Sequence, residues 1–291
     1  MTTAELTTYA IDVTDIEYLR HGDKPLLARL YKPRGTGPFP IIVDLHGGAW
    51  CKKDRMADAG TDEPLAKSGV IVVARDFRMP PDAGYPASLA DVNYAIRWCK
   101  AHAAEWNGRA DRVGVLGVSS GGHQAMLAAM RPADMRYAAL PLAGKSAVDA
   151  KVHCAVMCWP VIDPLGRYQY AKAAQKGNDE KLKKSADEWV ICHDKYWGSE
   201  AAMTEGNPQL ILERGENGKL PPLLILQGTK DNNVTPDMAE KFSAAWRQRG
   251  GPATVEMFPD QPHTFATQNP TAPESVRAIE LIKAFVLRRG L

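Results

Sequence analysis

RVGVLGVSSGGHQAMLAAM, Arg112 to Met130, passes from a β-branched apolar run through a small-residue turn into a helix-forming stretch. The turn carries Gly117-x-Ser119-x-Gly121. By chance alone such a string turns up now and then in a chain with 24 glycines, so its setting matters more than its letters. A strand before it and a helix after it make a nucleophile elbow, a tight turn that holds the serine hydroxyl clear of the backbone and needs small neighbours.

A hydroxyl is a poor nucleophile until a base takes its proton, and that base needs an orienting acid. In a strand–elbow–helix architecture the partners follow in the order serine, acid, histidine, beyond later strands. LQGTKDNNVTP places Asp231 just past an apolar run at 222–227, and VEMFPDQPHTF places His263 just past another at 254–258. His21, His102, His123, His153 and His193 occupy no such position. Asp163, in PVIDPLG, is the rival acid, and Asp260 is too near His263 in sequence to reach its ring without a contorted loop.

Acyl transfer develops an oxyanion that preorganised N–H groups must meet. One donor is expected from Ser120, the residue after the nucleophile. Gly47 and Gly48 supply the others, in DLHGGAW (44–50), where an apolar strand opens into a glycine pair so that backbone can approach a ligand closely. His46 is read as a brace for that loop.

The flanking pattern agrees. TDIEYLR and LLARLYKP form an expected hairpin through HGDKP. FPIIVDL, VIVVAR, RVGVLGV, VHCAVMCWPV and PPLLILQG are continuous apolar runs suited to strands covered on both faces. Helical spacing separates them: Leu89, Val92, Ile96, Cys99 and Ala103 within 88–106, and Val276, Ile279, Ile282 and Val286 near the end. The expected class is α/β, with a mostly parallel doubly wound sheet opened by an antiparallel hairpin. Fifty residues rich in Lys, Ala and Glu interrupt the alternation and predict a cap-like helical insertion at about 164–219 within a single domain, 1–291. In it Leu182, Ala186, Trp189, His193 and Trp197 keep helical spacing, with Tyr196 beside them.

These residues resemble the α/β-hydrolase superfamily. The chain is similar to small carboxylesterases of the hormone-sensitive-lipase and BD-FAE-like groups, which carry an HGG-x-W loop; DFR (76–78), YPASLADV (85–92) and NGRADRVGVLG (107–117) strengthen the likeness. Ala49 in place of a third glycine, and VSSGGH in place of DSAGG, lean toward the HGG-x-W side. The resemblance implies an α/β-hydrolase fold and a carboxylesterase with Ser119, His263 and Asp231 as its triad. It gives Asp76 and Arg78 scaffold roles, and it places Trp50, Trp189, Tyr196 and Trp197 around a substrate pocket. An amidase or arylformamidase would use the same machinery. A binding protein of this fold would usually lack a triad member.

Composition sets further bounds. The chain has 291 residues, 45% hydrophobic and 24% charged, with a net charge of +2. So even a balance recommends no nucleic acid or other polyanion as partner. The N-terminal residues lack the basic and apolar regions of a signal peptide, and no run is long enough to span a bilayer. A cytoplasmic enzyme with a small-molecule ester substrate and no membrane partner is expected, its oligomeric state left open. Five scattered cysteines and no ligand-spaced cluster predict no metal and no cofactor.

Overall fold

A computed structural model describes residues 8–145 and 147–288. Strands β1 (Ile11–His21) and β2 (Lys24–Pro33) pair antiparallel through a two-residue turn in which Gly22 takes φ +57°. They lead into β3 (Phe39–Leu45), β4 (Ile71–Arg75), β5 (Gly108–Val118), β6 (Ala155–Cys158), β7 (Leu223–Gly228) and β8 (Ala253–Phe258). The eight strands form one sheet in the order β1-β2-β4-β3-β5-β6-β7-β8, and every pairing from β4 to β8 is parallel.

Side-chain alternation sorts the sheet into two apolar faces. Ile41, Val43 and Leu45 of β3 join one cluster with Leu89, Val92, Met126, Phe242 and Trp246. Those partners come from α2 (Ala87–His102), α3 (Ser120–Met130) and α8 (Pro236–Gln248), with α1 (Ala59–Lys67) on the opposite face. There Ile42 meets Leu65 and Ala66 of α1, and Ala278, Ile282 and Val286 from the C-terminal helix. Helices on both faces explain why the strands read as unbroken apolar runs.

Four helices fill the interval between β6 and β7: α4 (Pro164–Ala174), α5 (Glu180–Trp197), α6 (Glu200–Glu205) and α7 (Pro208–Arg214). Asp163, Asp179, Ser199 and Asn207 cap their N-termini through side-chain oxygens, which satisfies backbone N–H groups the helices cannot. After β8 come α9 (Phe265–Gln268) and α10 (Pro273–Arg288).

Two periodicities end differently from expectation. The helix predicted over 88–106 stops at His102, tightens into a 3-10 turn at Ala103–Trp106, and is closed by Asn107 at φ 57°. Val276 is 46% exposed rather than on the inner stripe of α10, which runs through Ser275, Ala278, Ile279, Ile282 and Val286. Its neighbour Ser275 takes the inward position. Arg78 forks onto the buried Asp91 carboxylate (Nη2 to Oδ1, 2.9 Å), and Asp76 accepts from Arg55 at 3.0 Å, so both hold framework.

Asp44 on β3 and Asp58 and Asp62 at the start of α1 are all buried. Desolvation raises the carboxyls of Asp44 and Asp62 well above the ordinary range and that of Asp58 to about 6. A folded-state pKa above the unfolded one means that stability is fully present below the unfolded value, near 4, and is lost as pH rises through about 6. Asp58→Asn is therefore expected to raise Tm relative to wild type at about pH 8. The gain should vanish by about pH 4, read from paired thermal melts across that range.

Candidate active site

Ser119 sits between the end of β5 and the start of α3 with φ 53° and ψ −115°, a conformation that costs a non-glycine residue about 1–3 kcal/mol and persists only where surroundings enforce it. They do so here. Ser119 N–H donates to the Cys158 carbonyl (2.9 Å), and its own carbonyl accepts from His123 N–H (3.2 Å) and Val161 N–H (3.1 Å). The turn also presses against the end of β3, where a Cβ at Gly121 would lie 2.0 Å from the Leu45 carbonyl oxygen.

Ser119 Oγ lies 3.0 Å from His263 Nε2, and His263 Nδ1 lies 2.7 Å from Asp231 Oδ2. Asp231 Oδ1 accepts from the N–H groups of Asn233 and Val234, both at 2.9 Å, while Oδ2 also accepts from Gln227 Nε2 at 3.0 Å. Burial pushes the Asp231 carboxyl upward, but His263 and the two backbone donors outweigh it and hold the group below its ordinary value. An ionised carboxylate can only accept, so Nδ1 carries the imidazole proton and Nε2 is left free to accept from Ser119. That arrangement can remove a proton from the serine hydroxyl.

The rival acids lie elsewhere. Asp163 caps α4, accepting from Gly166 N–H at 2.8 Å and Asn207 Nδ2 at 2.7 Å. Asp260 pairs with Lys230 at an exposed edge.

Residues 46–50 fold over the elbow. Gly48 takes φ +107°, and a Cβ there would meet the Lys52 carbonyl oxygen at 2.1 Å. Ala49 and Trp50 follow at φ 52° and 62°. His46, buried and stacked on Phe77 at 4.5 Å, donates to the Gly47 carbonyl over 2.8 Å, and burial lowers its pKa to about 4. Trp50 N–H donates to Ser120 Oγ at 3.1 Å, tying the loop to the residue after Ser119. Sequence reasoning assigned Ser120 only a backbone role; the side-chain contact joins residues 70 apart and had no local signal.

His123 likewise has no local sequence signal for its role. Its Nε2–H donates to the Gly206 carbonyl (2.9 Å) while Nδ1 accepts from the Trp50 indole N–H (3.3 Å). Burial lowers its pKa to about 4. This neutral ring pins the loop and α6 to the elbow helix.

A cleft of about 300 Å³ opens at Ser119, lined by Gly47, Gly48, Arg167, Trp189, Asn233 and His263 among others. Larger hollows of about 550 and 650 Å³ lie elsewhere and contain none of these groups. Of the four aromatics expected around a pocket, only Trp189 lines the cleft. Trp50, Tyr196 and Trp197 are 0%, 1% and 4% exposed and pack together beneath it, Trp50 stacking on Tyr196 at 5.2 Å. The stripe of α5 turns its apolar side onto Trp50 of the glycine loop, because three large rings gain more from mutual burial than from a wetted cleft wall.

Among the described residues no group of His, Cys, Asp or Glu could hold a metal ion, and no helix is long and apolar enough to cross a membrane.

A family model described as BD-FAE matches residues 29–246. The chain is similar to a probable carboxylic ester hydrolase, LipM, of Mycobacterium tuberculosis, at 35% identity over 79% of this chain and 50% of that protein. It is also similar to the versiconal hemiacetal acetate esterase of Dothistroma septosporum, at 28% identity over 93% and 78% of the two chains. It spans 49–58% of the length of the first three curated relatives. Among solved structures, a thermophilic esterase of Thermogutta terrifontis superposes with a TM-score of 0.72 at 22% identity, covering 98% of this chain and 94% of that one. Esterase B of Lactobacillus rhamnosis gives a TM-score of 0.75 at 19% identity, covering 98% and 87%. These likenesses establish an α/β-hydrolase fold.

Burial separates the two sets of aromatics experimentally. Trp197→Ala is expected to cost about 3–5 kcal/mol of stability. Trp189→Ala, at the cleft edge, should cost under about 1 kcal/mol. Urea unfolding of both variants measures the contrast.

Proposed function

The chain belongs to the BD-FAE family, and from that premise we propose that it is a serine hydrolase that cleaves small carboxylic esters. The hydrogen-bonded line Ser119–His263–Asp231 carries the reading, and relatives named as esterases support it.

Ser119 Oγ attacks the ester carbonyl carbon while His263 Nε2 takes its proton. Asp231 keeps the imidazole in the accepting tautomer and stabilises the imidazolium that forms. The N–H groups of Ser120, Gly47 and Gly48 receive the oxyanion, in a loop already fixed by Trp50, His46 and His123, so no reorganisation is needed at the moment of reaction. Collapse expels the alcohol, which takes the proton from His263. The acyl group remains on Ser119 until water, deprotonated by the same histidine, releases the acid. Every charge that develops has a partner within these residues, so the scheme calls on no metal or cofactor.

The helices at about 164–219 act in this reading as a cap of a single catalytic domain, contributing Arg167 and Trp189 to the cleft. Five cysteines with no disulfide between them support a reducing compartment such as the cytoplasm.

Ser119→Ala should abolish ester turnover with an unchanged thermal melt. Asp231→Asn should lower kcat by up to ~10⁴-fold, because the histidine loses its tautomer and its countercharge. A comparable loss in Asp163→Asn, with Asp231→Asn near wild type, would reassign the acid.

The small cleft also limits the acyl group. A long chain gains about 0.8 kcal/mol per CH₂ only where an apolar trench buries it, and about 300 Å³ walled in part by charged side chains offers none. Along a 4-nitrophenyl ester series, kcat/KM is expected to peak at about two to six acyl carbons. A steady rise to the longest soluble ester would refute this.

A further inference from the structure

Arg167, on the first turn of α4, lines the same cleft as Ser119 although it is only 3% exposed. A guanidinium carries five N–H donors and, when buried, is ordinarily matched by a carboxylate. Among the described residues Arg167 has none. Its Nε donates to Asn233 Oδ1 at 2.7 Å, its Cζ lies over the Trp189 ring 5.0 Å from the centroid, and its buried Nη1 has no partner.

The nearby acids are committed elsewhere. Asp231 holds His263, Gln227 and two backbone N–H groups. Glu188, on the cleft rim, is paired with Lys52 at 2.8 Å. Cys192 carries a thiol rather than a carboxylate, and its backbone carbonyl accepts from Cys51 Sγ at 3.6 Å. Lys53, exposed on the same rim, adds a further positive charge. Burial lowers the Arg167 pKa to about 10 against the weaker pull of Cys192 and Asp231, so the side chain stays cationic at neutral pH without an ion pair of its own. Such a group costs stability unless something else uses it.

The Trp189 ring and the Asn233 amide fix the guanidinium plane, which lowers the entropic cost of gripping a planar anion. Asn233 also belongs to the turn that cradles Asp231, so the cation is held in register with the triad. We propose that the cleft takes an ester bearing a second, ionised carboxylate, and that Arg167 is the specificity-determining residue that binds it. This rests on Ser119 being an ester-cleaving nucleophile.

The test compares kcat/KM for charged and neutral esters of matched size. One pair carries the charge on the acyl side, mono-(4-nitrophenyl) adipate against 4-nitrophenyl heptanoate. The other carries it on the leaving group, 3-acetoxybenzoate against 3-acetoxybenzamide. In the wild type the charged ester of one pair should be preferred by at least about 10-fold, and the pair that responds identifies which half of the ester meets Arg167. In Arg167→Gln that ratio should fall by about 10- to 100-fold, with Arg167→Lys intermediate because it keeps the charge but loses the fork. A merely structural arginine would lower both members of a pair together and leave the ratio unchanged.

Wild-type ratios of one or below in both pairs, from an enzyme that hydrolyses the neutral esters through Ser119, would overturn this inference and leave the esterase reading standing. So would a ratio unaltered in Arg167→Gln. If no ester is hydrolysed and a fluorophosphonate fails to label Ser119, both fall. Should Arg167→Gln not fold, the wild-type ratio decides alone.

Discussion

The start of α3 and the end of β3 approach so closely that no side chain fits at Gly121, and one at Gly47 would be tight. A Cβ at Gly121 would sit 2.0 Å from the Leu45 carbonyl oxygen, and a Cβ at Gly47 would sit 3.1 Å from the Val118 carbonyl oxygen and 3.3 Å from Ser119 Cβ. This contact sets the relation between the serine and the glycine loop, since both are anchored to neighbouring strands of one sheet. Beside it Ser119 keeps its strained backbone at φ 53° and ψ −115°, with the hydroxyl 3.0 Å from His263 Nε2. The parallel sheet supplies the rigidity: β3 and β5 stay in register from Ile41 opposite Val113 to Leu45 opposite Gly117.

Around that contact the chain uses two neutral, buried histidines as fasteners, while a third, His263, stays partly open at the cleft. His46 and His123 each donate to a backbone carbonyl and are held below their ordinary pKa by burial. Both are therefore neutral near pH 7, and their hydrogen bonds to the loop and to Gly206 involve no charged ring there. His263 differs because its Nδ1 faces a carboxylate rather than a carbonyl. That partner stabilises the cation a carbonyl could not match.

The helices between β6 and β7 have two separate effects. Their inner side builds an aromatic block of Tyr168, Tyr196 and Trp197 with Trp50, which fastens them to the glycine loop. Their outer side gives the cleft Arg167, Glu188, Trp189 and Cys192, a charged and polar wall. The aromatic anchor and the cleft wall thus fall mostly to different faces of the same segment, although Glu188 and Cys192 of the wall also bond to Lys52 and Cys51 just after the glycine loop.

The sheet class, the elbow, the order of Ser119, Asp231 and His263, and the glycine loop were legible in the chain because each depends on short-range pattern. Apolar runs mark strands, small residues mark tight turns, and a side chain that acts from a strand end must stand just after one. Residues 88–106 and Val276 show the limit of periodicity, which fixes a stripe but neither where a helix stops nor which of two adjacent residues turns inward. Three of the four aromatics expected around the pocket lie in the core for a related reason. Helical spacing put Trp189, Tyr196 and Trp197 on one side of α5, but whether a ring ends in a cleft or in a core depends on what it packs against. For Tyr196 that is Trp50, distant by 146 residues in sequence. The Ser120–Trp50 bond, the His123 relay and the unpaired Arg167 depend likewise on pairs far apart in the chain. Local sequence determines the backbone's course and the order of its chemical groups; which buried groups meet, and which are left without a partner, only tertiary packing decides.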